Sequence, residues 1–158
     1  MHPRRRVVVT GMGVLAPNGT GLKAFWQSLI AGESGIGPIT LFDASGFKSR
    51  IAGEVKNFDP DDYFELNMKP RRMARHTQLA FAATKLALND AGFGKGDLDF
   101  SSPIPVVVGV STSSLDVIER VFHHVSQSRL DRVTPFALGA SKPQAAANVI
   151  ADYIGSSA

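Results

Sequence analysis

Two short runs of β-branched residues beside glycines constrain the fold of this chain more than any other feature. Val7-Val8-Val9-Thr10 is followed by Gly11, and the second run extends from Ile104 to Val110. Continuous apolar runs of this kind are typical of strands that are buried on both faces of a sheet. The sequence therefore predicts two buried strands, at 7–10 and 104–110.

Helical patterns surround these runs. Apolar residues recur at helical spacing in four segments, 22–30, 71–91, 114–125 and 145–154, and a short strand is expected at 51–55. The helix at 71–91 is apolar nearly all round after Leu79, which indicates a position between two layers. The third helix has an apolar side that we expect to face the core: Leu115, Ile118, Val121, Phe122 and Val125. Strands that alternate with helices predict an α/β fold.

The composition narrows the classes of protein further. A chain of 158 residues fits one domain, which we expect to span 1–158. None of the residues is cysteine, which excludes disulfides, thiolate metal sites and a cysteine nucleophile within the chain. No apolar run approaches the roughly 18 residues of a transmembrane helix, and no signal-peptide cleavage motif follows the arginines at 4–6. We expect a cytoplasmic location and no membrane partner.

A glycine-rich turn follows the first predicted strand. The segment from Gly11 to Ala16 reads Gly-Met-Gly-Val-Leu-Ala, which matches the pattern of dinucleotide-binding proteins, and Glu33 lies downstream. That pattern needs a helix at its second glycine, whose amides point at the pyrophosphate. Pro17-Asn18-Gly19 stands in the place of that helix. We interpret the glycines as residues of a turn that uses their conformational freedom, and nucleotide binding is the weakest hypothesis for this chain.

The third predicted helix carries residue types that bind metals. Glu119 and His123 are spaced i, i+4, with His124 adjacent and Asp116 one turn earlier. No second cluster in the sequence supplies further ligands, so a solvated helix face is the better interpretation. The sequence also contains no G-x-S-x-G elbow and no phosphate-binding P-loop.

A basic cluster precedes and begins the second predicted helix. It contains Lys69, Arg71, Arg72 and Arg75, with no acid among them. Cations at a helix N-terminus oppose the helix dipole, and a local rule broken in this way indicates a function, here a surface that faces an anion. The net charge is only +3 and no aromatic residues are interleaved with the cations, which argues against nucleic acid as the partner.

Several segments, taken in order along the chain, form a recognisable series. The first of them is Arg5-Arg-Val-Val-Val-Thr-Gly-Met-Gly-Val-Leu-Ala-Pro-Asn-Gly. Further motifs follow: Phe25-Trp26, Leu29-Ile-Ala-Gly-Glu-Ser-Gly-Ile36, Phe42-Asp43, Ala52-Gly-Glu-Val55, Arg71-Arg-Met73, Ala87-Leu-Asn-Asp-Ala-Gly92 and Thr134-Pro-Phe136. Together they resemble the β-ketoacyl-[acyl-carrier-protein] synthases of the type II elongating kind. The resemblance covers essentially the whole chain.

The resemblance implies a fold and a reaction. The fold is thiolase-like: two similar halves each place a mixed sheet between helices on both of its faces, and two chains form a homodimer. This chain corresponds to an incomplete N-terminal half. The implied reaction is a decarboxylative Claisen condensation of acyl groups with malonyl-carrier protein in fatty-acid or polyketide biosynthesis. It uses acyl carrier protein, acyl- and malonyl-loaded, as the partner and needs no cofactor.

The catalytic residues of that family are not found in this chain. By the resemblance, the nucleophilic cysteine would lie roughly ten residues beyond Ala158, at a helix start that lowers the pKa of its thiol. The catalytic histidines would follow much later, and none of His2, His76, His123 and His124 matches their positions. We therefore assign no catalytic residue and expect the chain alone to perform no condensation. The alternative hypothesis is a non-catalytic, truncated paralogue that binds acyl carrier protein or another partner.

The resemblance does assign two binding regions. Arg71 and Arg72, grouped with Lys69, take the positions of basic residues that face the acidic helix of acyl carrier protein. Thr112 and Phe136 take the positions of residues that line the acyl pocket.

Two departures from the family affect these regions. Thr112 replaces an aliphatic residue in the loop that reads Gly109-Val-Ser-Thr-Ser-Ser114 here. Ala74 replaces the acid that usually follows Arg-Met. These changes bear on the acyl-chain preference and on ion pairing beside the basic cluster.

Overall fold

The computed structural model describes residues 6–94, 97 and 104–156. The chain forms two compact units, Met1–Asn57 with Ala83–Gly94 and Phe58–Ala82 with Lys95–Ala158. The longest helix, α2 (Arg75–Asp90), contributes its residues up to Ala82 to the second unit and the rest to the first.

The first unit contains two small antiparallel sheets and a helix. Its elements are β1 (Leu15–Ala16), β2 (Gly19–Thr20), α1 (Leu22–Ile30), β3 (Ile36–Pro38) and β4 (Ile51–Gly53). Strand β1 pairs with β2 and β3 pairs with β4. The helix predicted at 22–30 is confirmed, and it ends before Gly32, which takes the left-handed φ of 68° that favours glycine. The strand predicted at 51–55 is confirmed in its first three residues.

Gly11 and Gly13 are small because the second half of α2 passes against them. A Cβ atom at Gly11 would overlap the carbonyl oxygen of Ala87, and one at Gly13 would overlap that of Ala83. Neither glycine has a positive φ, so the predicted need for conformational freedom is wrong, and close packing is the reason for both. A hairpin rather than a helix follows them, and the Met12 N–H donates to the Asp90 carboxylate at 2.9 Å.

The carboxylate of Glu54 holds the loop that follows β3. It accepts hydrogen bonds from the Thr40 hydroxyl at 2.7 Å, the Thr40 N–H at 3.0 Å and the Leu41 N–H at 3.2 Å. These bonds favour the ionised carboxylate. They lower the pKa of Glu54 below its ordinary value, and the Thr40 hydroxyl is the largest cause.

The second unit is helical and has the better-buried core. Besides the first half of α2 it contains α3 (Leu115–Ser126), α4 (Phe136–Ala140), α5 (Ala145–Ile154) and the 3₁₀ turns Pro60–Asp62, Pro70–Arg72 and Leu130–Arg132. At its centre Phe81 is completely buried between two rings, with centroid distances of 4.3 Å to Phe64 and 5.0 Å to Tyr153. Aromatic contacts of this kind add to the free energy gained by burial.

Helix α5 confirms the predicted bounds of 145–154. It ends at Gly155, whose φ of 72° is the left-handed conformation of a helix C-cap. The next residue, Ser156, is buried. Its hydroxyl accepts a hydrogen bond from the Ile104 N–H at 2.8 Å and donates one to the Ile104 carbonyl at 2.7 Å. The start of the segment 104–110 is thereby fixed to the end of α5.

The two buried strands predicted from the valine runs are not formed. In the part of the chain that the structure describes, neither 7–10 nor 104–110 takes part in a β-ladder, and Val7 and Val107 are 92% and 91% exposed. A strand needs a neighbouring backbone with which to form hydrogen bonds, and an apolar composition does not supply one. The prediction of buried strands at these positions is therefore wrong.

Helix α3 is formed where predicted, but its buried side differs from the prediction. Val117 is its buried residue, whereas Leu115, Ile118 and Phe122 are between 49% and 73% exposed. Helical periodicity shows which residues share a face, but it does not show which neighbour covers that face.

Among the described residues, no helix is long and apolar enough to cross a membrane.

Candidate functional site

The predicted docking residues lie on a separate turn in front of α2. Lys69 precedes the 3₁₀ turn Pro70–Arg72, and α2 itself begins at Arg75 rather than at 71 as predicted. Met73, with φ −100° and ψ 151°, is extended and interrupts the helix between the two elements. Lys69, Arg71 and Arg72 are therefore outside α2, and the predicted conflict with its dipole does not apply to them.

The turn is fastened to α2 by a side chain of the helix. The amide nitrogen of Gln78 donates a hydrogen bond to the carbonyl of Pro70 at 2.9 Å, and Pro70 is buried. Arg71 and Arg72 are exposed on this anchored turn. Both arginines are thus carried by a backbone that is held in place.

Arg75, the fourth cation of the basic cluster, has a structural role. Its backbone N–H, at the start of α2, donates to the carboxylate of Asp116 at 3.1 Å. A carboxylate at this point satisfies a free amide of the helix and interacts favourably with its dipole. The guanidinium of Arg75 lies over the ring of Phe58, 4.4 Å from its centroid. The structure thus separates Arg75 from the three predicted docking residues.

Phe136 lies against the basic turn. It is the first residue of α4, and the guanidinium of Arg72 stands 4.3 Å from the centroid of its ring. A cation over an aromatic face at this distance is attracted by the quadrupole of the ring. One predicted docking residue and one predicted pocket residue are therefore in direct contact.

Two cavities are lined in part by this pair. The larger, about 480 Å³, is mainly apolar and includes Lys69, Arg72, Met73, Phe136 and Val149 in its lining. The smaller, about 250 Å³, is basic and includes Arg71, Arg72, Arg120, His124, Arg132 and Phe136. Arg72 and Phe136 line both. We refer to these as the apolar cavity and the arginine cavity.

Thr112, the other predicted pocket residue, is exposed and lines neither cavity. Its loop ends at Ser114, which is buried and takes a left-handed φ of 61° before α3. The Ser114 hydroxyl donates a hydrogen bond to the Ala140 carbonyl, at the end of α4, at 2.8 Å. The loop that carries Thr112 is therefore attached to the helix that begins with Phe136.

The sequence reasoning missed three residues of the arginine cavity: Arg120, His124 and Arg132. In the sequence His124 stands beside a candidate metal-binding pair, but no group of three or more metal-binding side chains comes together within 6–94, 97 and 104–156. A local signal was present, because Arg120 and His124 are spaced i, i+4 on the polar side of α3. That spacing indicates a binding site only together with the fold, which places Arg71 and Arg72 in the lining of the same cavity.

Comparison with known proteins gives a consistent result. Residues 4–158 match the family model described as β-ketoacyl synthase, N-terminal domain. A candidate β-ketoacyl synthase 1 of the granaticin polyketide from Streptomyces violaceoruber is 46% identical over 78% of this chain. The 3-oxoacyl-[acyl-carrier-protein] synthase 2 of Synechocystis is 37% identical over 85% of it. These matches cover 29% and 32% of the two relatives, so the chain spans about a third of their length.

A solved structure agrees with the sequence matches. The ishigamide ketosynthase/chain length factor superposes with a TM-score of 0.85 over 96% of this chain and 37% of its own, at 32% identity. The fold is thus the α/β, thiolase-like one that the resemblance implies, in the form of a partial N-terminal half. The chain belongs to the β-ketoacyl synthase family, and it corresponds to the N-terminal domain of that family.

Proposed function

We propose that this chain is the N-terminal part of a 3-oxoacyl-[acyl-carrier-protein] synthase. The protein would catalyse decarboxylative Claisen condensation of acyl groups with malonyl-carrier protein, in fatty-acid or polyketide biosynthesis. The observation that carries this proposal is the family match over residues 4–158, together with relatives that are named as such synthases. A cytoplasmic location, a homodimer and a single domain over 1–158 stay predictions.

The part of the reaction that we assign to this chain is binding. Lys69, Arg71 and Arg72 would meet the acidic surface of acyl carrier protein. Arg71 and Arg72 are exposed, and their turn is anchored on α2, as such a surface requires. Charges at the rim of an interface mainly raise the association rate, and salt screens them. Phe136 and Thr112 would line the acyl pocket, and the apolar cavity beside Phe136 supports this role for Phe136.

The acyl-transfer and condensation steps would require residues that these 158 positions do not contain. Covalent acyl transfer needs an activated nucleophile, and none of the 158 residues is cysteine. We therefore propose that the chain by itself forms no acyl-protein. Transfer of a labelled acyl group from carrier protein to the isolated chain would contradict this.

The docking proposal is tested by reversing charges in the natural gene product, by which we mean the protein as its own gene encodes it. Arg71→Glu combined with Arg72→Glu should raise KM for acyl-carrier protein at low salt and leave KM for acyl-coenzyme A nearly unchanged. Lys23→Glu with Arg50→Glu is the matched control, because it changes the net charge equally at exposed residues of the first unit. An equal effect of both double variants, or none of either, would overturn the docking proposal.

The exposed Arg71 and Arg72 on their anchored turn would serve a second candidate function equally well. A non-catalytic paralogue could keep the carrier-binding surface and lose the reaction. The codons that follow position 158 distinguish the two candidates: an in-frame continuation with a cysteine at a helix start supports the enzyme, and a stop codon supports the paralogue. Carrier-protein binding without condensation by the natural gene product would support the paralogue independently.

A further inference from the structure

The arginine cavity collects four guanidinium groups and one imidazole from three elements of the second unit. Arg71 and Arg72 come from the turn before α2, Arg120 and His124 from α3, and Arg132 from the turn Leu130–Arg132. The rest of the lining is apolar or carries a hydroxyl: Val121, Thr134, Phe136 and Ala137. Among the residues that the structure describes, no carboxylate lines the cavity.

The acids nearby neutralise only part of this charge. Asp116 stands 3.9 Å from Arg120, and it also accepts the Arg75 N–H. Asp131 stands 3.5 Å from Nε of its neighbour Arg132, and both side chains are at least 70% exposed. In the described ranges, Arg71 and Arg72 have no ion pair. Like charges held together without counter-ions repel one another, so an anion in the cavity would stabilise this arrangement.

His124 adds an unused polar atom. Its Nδ1 is buried, and in the part of the chain that the structure describes it has no hydrogen-bond partner. A buried nitrogen without a partner costs free energy, which a ligand that forms a hydrogen bond with it can recover. This observation is independent of the arginine count, and it concerns a residue that lines the same cavity.

We propose that the arginine cavity is a binding site for a phosphate group. Arginine presents its donors as a planar fork that matches phosphate oxygens, and several forks around one cavity suit a group with several acceptor oxygens. A volume of about 250 Å³ accepts a phosphate ester and part of the chain attached to it. The assignment of a source for this phosphate rests on the proposed function. Carrier-protein thioesters and coenzyme A thioesters both hold the acyl group on an arm that contains phosphate.

The direct test uses inorganic phosphate and the natural gene product, with no carrier protein present. Phosphate is titrated against the protein by calorimetry, and the ionic strength is held constant with chloride. Arg120→Gln and Arg132→Gln should each weaken phosphate binding by about tenfold, the usual effect of losing a hydrogen bond to a charged group. Arg129→Gln is the matched control: it removes an exposed arginine near the cavity that does not line it, and it should leave the affinity unchanged.

The outcomes separate the phosphate site from the docking proposal. The phosphate site would be overturned if wild type and both cavity variants bind phosphate with equal affinity, or if Arg129→Gln weakens phosphate binding as much as they do. This holds even if the charge reversals raise KM for carrier protein. If the charge reversals at Arg71 and Arg72 do not raise KM for carrier protein, the docking proposal fails, and the phosphate site is still judged on Arg120→Gln and Arg132→Gln. Competition by 4′-phosphopantetheine but not by pantetheine supports recognition of the phosphate itself. In Arg120→Gln and Arg132→Gln, a raised KM for acyl-carrier protein alone assigns the phosphate to the carrier's arm. A raised KM for acyl-coenzyme A as well assigns the site to both sources, and reversing Arg71 and Arg72 should then raise both KM values, because these residues line the same cavity.

Discussion

Arg72 and Phe136 form one stacked pair, with the guanidinium carbon 4.3 Å from the ring centroid. The family resemblance gives these residues separate roles, Arg72 in carrier docking and Phe136 in the acyl pocket. In the structure they are the wall shared by the arginine cavity and the apolar cavity. An anion that draws Arg72 away from the ring would therefore alter the edge of the apolar cavity as well.

The energy of this contact can be measured with a double-mutant cycle. We expect Arg72→Gln and Phe136→Leu to be coupled by about 0.5–1 kcal/mol in the free energy of unfolding, because Phe136 is half exposed and cation–π contacts at exposed sites have that magnitude. Urea unfolding of the natural gene product gives the four values needed. A control cycle with Arg129→Gln in place of Arg72→Gln should show no coupling. Additive effects in both cycles would mean that the stack contributes nothing.

Helix ends were predictable where a local signal determines them. Gly32 and Gly155 take left-handed φ values that stop α1 and α5, so both helices match the sequence prediction. The start of α2 was not predictable in this way, because the extended Met73 separates Pro70–Arg72 from the helix. The strand predictions at 7–10 and 104–110 failed for a different reason. Whether these segments form strands depends on pairing with a backbone that is distant in the sequence, and the local residue pattern carries no information on that pairing.

Some residues of the candidate site were likewise visible in the local sequence, and others were not. Lys69, Arg71 and Arg72 are neighbours in the sequence, so their charge was visible there. Arg120 and Arg132 lie at least 48 positions further along the chain from Arg72, and only folding brings them to the same cavity. The close packing at Gly11 and Gly13 was hidden for the same reason, because their contacts are residues of α2.

Thr112 gives a prediction about chain length. If it lines the acyl pocket, Thr112→Phe in the natural gene product should reduce kcat/KM for long acyl primers before short ones, because overfilling a pocket costs about 1–3 kcal/mol. Condensation rates with primers of increasing length measure this, and the short primers act as the internal control. Equal losses at every length would remove Thr112 from the pocket.

Gly13 gives a prediction about stability. Gly13→Ala should lower the free energy of unfolding by about 1–3 kcal/mol, because the new Cβ would overlap backbone atoms of Ala83 and Ala87 on α2. Gly46→Ala is the matched control, since a Cβ there has no heavy atom within 4 Å and Gly46 has no positive φ. Equal urea midpoints for the two variants would show that α2 can move away from the glycine without cost.

Glu54 gives a prediction about pH. The pKa of Glu54 is lowered in the folded protein, mainly by the Thr40 hydroxyl, below its ordinary value of 4.5. Its contribution to stability is therefore complete above that ordinary value and is lost as the pH falls through the lower folded pKa. Thr40→Val should raise the pKa of Glu54 in a carboxyl NMR titration. Asp43 serves as the control, because Ser45 lowers its pKa independently of Thr40. An unchanged titration of Glu54 in this variant would exclude the hydroxyl as the cause.

Ser114 combines a hydrogen bond with an unfavourable backbone conformation, and two substitutions separate them. Ser114→Ala keeps the left-handed φ of 61° and removes the bond to Ala140, so it should cost about 1–2 kcal/mol in the free energy of unfolding. Ser114→Gly also removes the bond but relieves roughly 1 kcal/mol of backbone strain, so it should be less harmful. Ser128→Gly is the control, because exposed Ser128 has a similar φ of 57° and its hydroxyl forms no hydrogen bond with the described part of the chain; this substitution should stabilise the protein. If alanine and glycine at position 114 unfold at the same urea concentration while Ser128→Gly stabilises, the strain at Ser114 is negligible and the hydrogen bond alone determines its effect.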